Sequence, residues 1–414
     1  MAGTHTTGQD RGSGLAGAAL TLIHTGQAPT RSALTAALGV TRATAGTVAA
    51  DLRELGLIRV EARPGLGDGR HGRPSHRLVI DPDGPVALAA QLHTDGFAVA
   101  LVGLGGRIVA SATAQRAASG DPAEDLAPVA VAAARLLTRA GRGCVGAALA
   151  VPSAVAEPEE TAVSPLYLGW PTGTKIRDIF ATLLGEALAA QRSRAPDASP
   201  RCRVVNDVNA VALAEHRHGA GRGASHLLVV AAEHRGVGGA LVLRGALYTG
   251  STGLSMEAGH VSVDPNGLPC PCGNRGCLNV ETDAERFVRA AGRVARPGGP
   301  VLRQAIEILR AGYPTDPKVR SAAERLTERL GLGLAGLINV VNPDRVLLGG
   351  LHRYLLEAAP DQLRDAVATR SPWGRGAGVP IEACALDDGE LIGAAELAWQ
   401  PVLDDPALMA SRRD

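Results

Sequence analysis

The first eighty residues have the hydrophobic spacing of three helices followed by two strands. Residues 15–24 form one apolar helical stretch, and a second helix over residues 31–38 ends at Gly39. Thr41 follows as the N-cap of a third helix that reaches Leu55. Two helices joined by so short a turn predict a helix-turn-helix. The side chains expected to form the buried stripe of the third helix are Ala45, Val48, Leu52 and Leu55.

A predicted β-hairpin completes this N-terminal unit. Residues 57–62 and 77–80 have the composition of strands, and the glycine-rich, arginine-bearing segment 63–74 joins them. Such a hairpin tip is typical of a wing that reaches phosphates or the minor groove. The alternative is a small helical interaction domain with solvated arginines. The residues expected to contact DNA are Thr41, Arg42, Thr44, Thr47, Arg70 and Arg73.

Charge along the chain supports double-stranded DNA as the partner. The whole chain carries a net charge of only +1, so no global field draws it to nucleic acid or to a membrane. Residues 1–80, however, hold nine arginines against five acidic residues. Aromatic residues make up only 2% of the chain, which disfavours binding to single strands or RNA by stacking.

Beyond residue 80 the pattern changes to that of an α/β protein. Residues 81–85 form a turn-rich linker, and from Val86 onward short aliphatic runs alternate with longer helical patterns. The longest apolar stretch, residues 144–156, is too short to span a bilayer, and residues 1–14 are polar. We therefore expect a cytoplasmic protein with no membrane partner.

One cysteine–histidine cluster has the composition of a metal site. His260 is followed by Cys270, Cys272 and Cys277, with several glycines and prolines between them. One imidazole and three thiolates form a closed tetrahedral set that suits zinc. Because four protein ligands leave no open position, we expect the ion to be structural.

The segment around this cluster resembles the signature of the ROK family (repressor, open reading frame, kinase). Three further segments, residues 206–210, 236–250 and 332–350, resemble other motifs of that family. The resemblance implies a winged helix-turn-helix (residues 1–80) followed by a two-lobed α/β actin-like (ribonuclease H-like) sugar kinase fold. It places the first lobe at residues 86–205, closed by a C-terminal helix near 391–402. The second lobe is then residues 206–390, with a zinc loop at 257–277.

The resemblance also implies a sugar cleft between the lobes. Its expected effector-binding residues are Asn206, Asp207, Glu257 and His260. Two positions depart from the family pattern: Asn279 stands where glutamate is usual, with Glu281 nearby but out of register, and Ser153 stands where glycine is usual. An inert pocket used only for dimerisation is the alternative.

The loop that would bind ATP phosphates in the kinase branch is degenerate. Gln91–Asp95 aligns with that loop and places side chains at His93 and Thr94, where the kinases have glycines. His234 and Arg235 likewise replace a Gly-Thr pair before the second glycine loop. We expect no ATP binding and no catalytic residue, although Asp207 would be the general base in a kinase.

These observations favour a DNA-binding transcriptional regulator, most simply a repressor, that responds to a sugar or sugar phosphate. A homodimer would place two reading heads on an inverted repeat, and further pairing would give a tetramer. An ATP-dependent sugar kinase with a DNA-binding head is the alternative. A DNA-binding protein with no effector is the third possibility.

Overall fold

The computed structural model describes most of the 414-residue chain. None of the helices in the described part is long and apolar enough to cross a membrane. The described residues are 8–62, 76–115, 119–163, 167–191, 200–234, 236–296, 300–372 and 378–412, with side chains from residue 14 to residue 410.

Three helices and a strand pair form the N-terminal domain, residues 8–80 as far as they are described, which is called the head below. Helix α2 ends at Gly39, which has a left-handed φ of 65°. The Thr41 hydroxyl caps α3 by accepting a hydrogen bond from the backbone N–H of Thr44 at 3.1 Å. This is the predicted helix-turn-helix; the predicted wing tip, residues 63–74, lies outside the described residues. The elements are α1 (Gly8–His24), α2 (Arg31–Leu38), α3 (Arg42–Glu54), β1 (Ile58–Glu61) and β2 (Arg77–Ile80).

Two details of the head differ from the prediction. Helix α1 begins at Gly8 rather than at residue 15, because the polar first turns carry no hydrophobic signal. In α3 the fully buried stripe includes Ala49, whereas Leu55 is the half-buried C-cap residue. Ala49 lies one turn after Ala45 on the same face, at the i+4 position that the predicted spacing left out.

The first lobe is built on a five-stranded sheet. Its order is β5-β4-β3-β6-β9, in which β3 is antiparallel to β4 and parallel to β6. Helices α4 (Pro122–Ala140) and α5 (Ile176–Gln191) pack on one face, and α13 (Gly389–Asp404) packs on the other. The strands are β3 (Val86–His93), β4 (Gly96–Val102), β5 (Ile108–Gln115), β6 (Cys144–Val151) and β9 (Cys202–Asn206), and the small pair β7 (Val155–Ala156) and β8 (Thr161–Ala162) follows β6.

The second lobe repeats this topology. Its sheet has the order β12-β11-β10-β13-β14, with an antiparallel hairpin followed by two parallel strands. The strands are β10 (His226–Glu233), β11 (Gly236–Leu243), β12 (Ala246–Leu247), β13 (Arg345–Gly349) and β14 (Ile381–Ala383). The helices are α7 (Leu278–Thr282), α8 (Ala284–Ala290), α9 (Val301–Gly312), α10 (Pro317–Val341), α11 (Gly350–Ala358) and α12 (Pro360–Ala368).

Helix α6 (Asp207–His218) lies between the two lobes. Ala210 belongs to the core behind the first sheet, whereas Val208 and Val211 belong to a core against the second sheet. The first turns of α6 are therefore packed against both lobes, which fixes the position of Asp207.

The head and the first lobe share one hydrophobic core. Leu20 of α1 and Leu52 of α3 belong to the same buried cluster as Trp399 of α13, whose indole N–H donates to the carbonyl of Val102 at 3.0 Å. The linker is also held, because the Arg142 guanidinium donates to the carbonyl of Pro82 at 2.8 Å. The head is therefore packed against the lobe rather than tethered to it.

Candidate functional site

A cleft between the lobes contains the four residues predicted to bind an effector. It encloses about 730 Å³ of empty space, part of it open to solvent. Asn206 and Asp207 enter from the end of β9 and the start of α6, and Glu257 and His260 enter from the loop after β12. The carboxyl end of a parallel strand is a common place for a ligand site in α/β folds.

Asp207 is the buried acid of the cleft. Its side chain is 7% exposed, and one carboxylate oxygen accepts the backbone N–H of Val208 at 2.8 Å. Burial, with the negative charge of Glu390 in second place, raises the pKa of Asp207 to about 7. Near neutral pH this carboxyl group can therefore either donate a hydrogen bond to a hydroxyl group or accept one from it.

Asn206 lines the cleft and also positions α6. Its side-chain oxygen accepts the backbone N–H of Asn209 at 3.1 Å, which caps the helix. Its amide nitrogen donates to the carbonyl of Ser153 at 3.2 Å. Asn206 thereby links the start of α6 to the segment that follows β6.

The predicted metal ligands also come together. The ligand atoms of His260, Cys270, Cys272 and Cys277 all lie within 4.8 Å of one another. Cys272 Sγ is 3.8 Å from Cys277 Sγ, and His260 Nδ1 is 3.8 Å from Cys270 Sγ. Zn–S bonds of about 2.3 Å in a tetrahedron put the sulfur atoms roughly 3.8 Å apart, so this donor set fits zinc.

Two glycines allow the metal loop to fold closely. A Cβ atom at Gly259 would lie 1.9 Å from the carbonyl oxygen of Val237, and one at Gly276 would lie 1.7 Å from the carbonyl oxygen of Asp264. Gly276 also has a left-handed φ of 57°. A side chain at either position would clash with a backbone carbonyl oxygen and would require the metal loop to shift.

His260 lies between the metal ligands and the cleft. Its Nδ1 faces the cysteine cluster, whereas its Nε2 is 3.9 Å from a carboxylate oxygen of Glu257. A metal ion bound through Nδ1 would fix the orientation of the ring and leave the Nε2 proton facing the cleft.

Two hairpin tips meet at the inner end of the cleft. The turn between β3 and β4 contains Thr94 and Asp95, and His234 begins the turn between β10 and β11. The imidazole rings of His93 and His234 stack across the lobes with centroids 4.1 Å apart and an interplanar angle of 2°. Gln91 extends this contact, since its amide nitrogen is 3.3 Å from His234 Nε2.

A family model described as "ROK family" matches residues 94–400, about three quarters of the sequence. The chain belongs to the ROK family. The match starts within the turn between β3 and β4 and covers both lobes apart from strand β3 and the end of α13.

Relatives within the ROK family include both kinases and regulators. A glucokinase of Thermotoga maritima is 32% identical over 203 residues, which cover 46% of this chain and 64% of that protein. The DNA-binding transcriptional dual regulator NagC of Escherichia coli is 27% identical over 208 residues, which cover 49% of this chain and 51% of NagC. The chain thus spans less than two thirds of the length of either relative.

A solved ROK structure matches the reading head as well as the lobes. The crystal structure of a ROK family transcriptional regulator, a homologue of the E. coli MLC protein, aligns with a TM-score of 0.74 at 20% identity. The alignment covers 98% of this chain and 100% of the other. The fold is therefore that of a ROK protein with an N-terminal helix-turn-helix head.

The predicted DNA contacts on α3 lie on the outer surface of the head. Arg42 and Thr47 are exposed, whereas the Thr41 and Thr44 hydroxyls contact each other at 2.9 Å. Arg70 and Arg73 lie outside the described residues.

A further cation lies on the same face of the head. A Cβ atom at Gly46 would lie 2.4 Å from the guanidinium of Arg31, so that side chain rests on α3 one turn after Arg42. The sequence signal that could have pointed to this contact is Gly46, because glycine is unusual inside a helix.

Asn279 and Tyr167 are cleft residues that the sequence did not assign. Asn279 Oδ1 accepts the N–H of Val237 at 2.7 Å, and its amide nitrogen donates to the Tyr167 hydroxyl at 2.7 Å. Glu281 instead accepts the N–H of Leu268 at 2.8 Å and supports the metal loop. The departure from glutamate at position 279 therefore gives the cleft wall an amide in place of a carboxylate.

Proposed function

We propose that this ROK protein is a transcriptional regulator, most simply a repressor, that binds a sugar or sugar phosphate in the cleft. The head would bind an inverted repeat in duplex DNA as part of a homodimer. The presence of a cleft and a helix-turn-helix head in one chain supports this function, as do the similarities to NagC and to a ROK regulator of known structure.

The observation that carries the proposal is the span of helix α6. Asp207 at its first turn lines the cleft. Arg217 and His218 at its last turn contact the carboxylate of Glu396, and His218 Nε2 is 2.8 Å from Glu396 Oε1. The same carboxylate contacts His24 of the head at 2.8 Å, so one helix connects the cleft to the head through Glu396.

The chemistry of the cleft suits a hydroxylated ligand. Asp207, Glu257 and the Nε2 atom of His260 would form hydrogen bonds with adjacent hydroxyls of a sugar. Zinc, when bound, would supply a structural centre that fixes His260 and its loop. Effector binding would then favour one arrangement of α6 and change the DNA affinity of the head.

The inner end of the cleft argues against ATP as a ligand. The stacked rings of His93 and His234 lie at the hairpin tips, where kinase relatives are expected to bind phosphates through the backbone N–H groups of glycines. Kinase activity is supported by Asp207, whose pKa of about 7 suits a general base for phosphoryl transfer to a sugar. A sugar kinase with a DNA-binding head is therefore the second candidate.

One experiment separates these functions. An operator selected from random duplexes by the full chain is titrated with protein in the presence of glucose, N-acetylglucosamine, xylose and their phosphate esters. A regulator should change its DNA affinity at least fivefold with one sugar and should show no ATP hydrolysis on any of them. Sugar-dependent ATP turnover without a change in DNA affinity would establish the kinase instead.

Asp207→Ala tests the location of the effector. We expect this variant to need at least tenfold more effector for the same response while binding the operator normally without it. Asp178→Ala is the matched control, because Asp178 lies exposed on α5. An unchanged dose response in Asp207→Ala would place the effector elsewhere.

A further inference from the structure

Three potential metal ligands meet at the hairpin tips, away from the cysteine cluster. His93 and Asp95 belong to the first lobe, and His234 belongs to the second. One ligand atom from each of the three lies within 4.8 Å of the others. This cluster joins the lobes at the point where the two sheets approach each other.

Burial disfavours the protonated form of both imidazoles, and a metal ion binds the neutral form. Burial lowers the pKa of His93, and the nearby Asp95 charge opposes this only in part. Burial, followed by the neighbouring His93, lowers the pKa of His234 to about 3. The backbone N–H of Asp95 donates to His93 Nδ1 at 3.2 Å, so the lone pair of this ring is on Nδ1, and a metal ion would take the place of that hydrogen bond.

Asp95 carries an unexplained carboxylate oxygen. Its Oδ2 atom is buried and has no hydrogen-bond partner among the described residues. A buried acceptor without a partner costs free energy, on the order of 1–3 kcal/mol. Ring stacking between His93 and His234 gives this oxygen nothing to bind, whereas a cation would satisfy it.

We propose that His93, Asp95 and His234 bind one divalent first-row transition metal ion, of the zinc class, that links the two lobes. Two neutral imidazoles and one carboxylate form a donor set common to zinc, cobalt and nickel, with a position left for water. The parallel rings need only turn about χ2, a soft torsion, to direct one nitrogen each toward a shared ion. The ion would hold the two hairpin tips together.

The site is tested by counting metal ions on the full chain. Protein saturated with Zn²⁺ in a metal-buffered solution and then desalted should contain two ions per chain by elemental analysis. His234→Ala and Asp95→Asn should each contain one, with zinc affinity at this site at least tenfold weaker. His226→Ala, at the other end of the same strand β10 and outside the cluster, is the matched control and should retain two.

Cobalt distinguishes the two sites by their ligands. Cys272→Ser should remove the intense sulfur-to-cobalt absorption of the cysteine cluster and leave the weak bands of a nitrogen and oxygen site. His234→Ala should have the opposite effect. One ion per chain in the unaltered protein, or an equal count in His234→Ala and the unaltered protein, would overturn the proposal. This test involves neither DNA nor sugar, so its outcome is separate from that of the proposed function.

Discussion

His24 Nε2 lies 2.8 Å from a carboxylate oxygen of Glu396, and neither side chain is exposed to solvent. His24 ends α1 of the reading head, and Glu396 is in the middle of α13. The backbone N–H of Gly105 donates to His24 Nδ1 at 2.9 Å, so Nε2 carries the proton given to Glu396. Arg217 and His218 at the end of α6 bind the same carboxylate. The head, the first lobe and α6 therefore meet at one buried charge.

Loss of this charge should uncouple the head from the cleft. Glu396→Gln keeps the shape of the side chain but leaves Arg217 without a counter-charge, so we expect destabilisation on the order of 3 kcal/mol. Effector binding should stay within about twofold, whereas the effector-induced change in operator affinity should fall several-fold. Calorimetry with the effector and anisotropy with labelled operator measure the two quantities.

The acid stability of Glu396→Gln provides a second measurement of the same contact. Burial alone would raise the pKa of Glu396, but His24, His218 and Arg217 hold it well below its ordinary value of 4.5. The unaltered protein should lose this stabilisation as the pH falls below about 4.5, and the variant should have none to lose. Glu285→Gln, at the exposed pair with Arg289, is the control. Normal coupling and normal acid stability in Glu396→Gln would contradict the assigned contact.

Metal binding and folding of the loop should be lost together in Cys272→Ser. Cys272 is the exposed member of the cysteine cluster, so serine at this position creates no cavity. We expect one zinc ion fewer per chain and a fall in the midpoint of thermal unfolding, because metal binding stabilises the folded loop. Cys384→Ser, outside the cluster, should keep its zinc. A full zinc content in Cys272→Ser would exclude that residue as a ligand.

The buried acid of the cleft should make stability fall as the pH rises. Asp207 keeps its proton up to a pH of about 7, whereas an unfolded aspartate loses it near 3.8, so the folded state binds more protons between these values. Asp207→Asn removes that dependence and should be more stable at pH 8 by about 4 kcal/mol. Urea unfolding from pH 5 to pH 8 measures the difference. Asp178→Asn, which is exposed, should follow the unaltered protein, and parallel curves for Asp207→Asn would refute the prediction.

Arg42 is predicted to contact a base. It is exposed at the first turn of α3, and loss of a bidentate contact with guanine should cost about 1–3 kcal/mol and relax specificity at one base pair. Arg53→Ala is the control on the same helix, in its last turn. Titration of both variants against the operator and single-base variants of it measures the effect. An unchanged preference in Arg42→Ala would shift the recognition surface to other residues, first of all to Arg31.

The sequence predicted elements and ligands better than contacts between elements. Helix α2 and strand β2 have the predicted bounds, since a glycine or a change of periodicity marks their ends. The cysteine cluster was found because its ligands lie within one short segment. The partners of Glu396 come from α1 and α6, up to 372 residues away, and no local pattern reports such a contact.

For some cleft residues the sequence identified the position but not the side-chain contacts. Asn206 was assigned to an effector, and the fold adds that its side chain caps α6 and donates to the carbonyl of Ser153. The histidines at positions 93 and 234 were treated as lost glycines, and only the folded chain places their rings together. Side-chain partners depend on packing between lobes, which single-residue patterns do not encode.

The continuous core of head and lobe limits how reading heads can be exchanged between relatives. At Gly17 of α1 an added Cβ atom would lie 2.5 Å from the backbone oxygen of Asp404, so the two helices fit against each other without room for a side chain. A graft cut near residue 80 would separate α1 from α13 and leave apolar surface on both pieces. A head taken from a relative would therefore have to match the residues of α13 that contact α1.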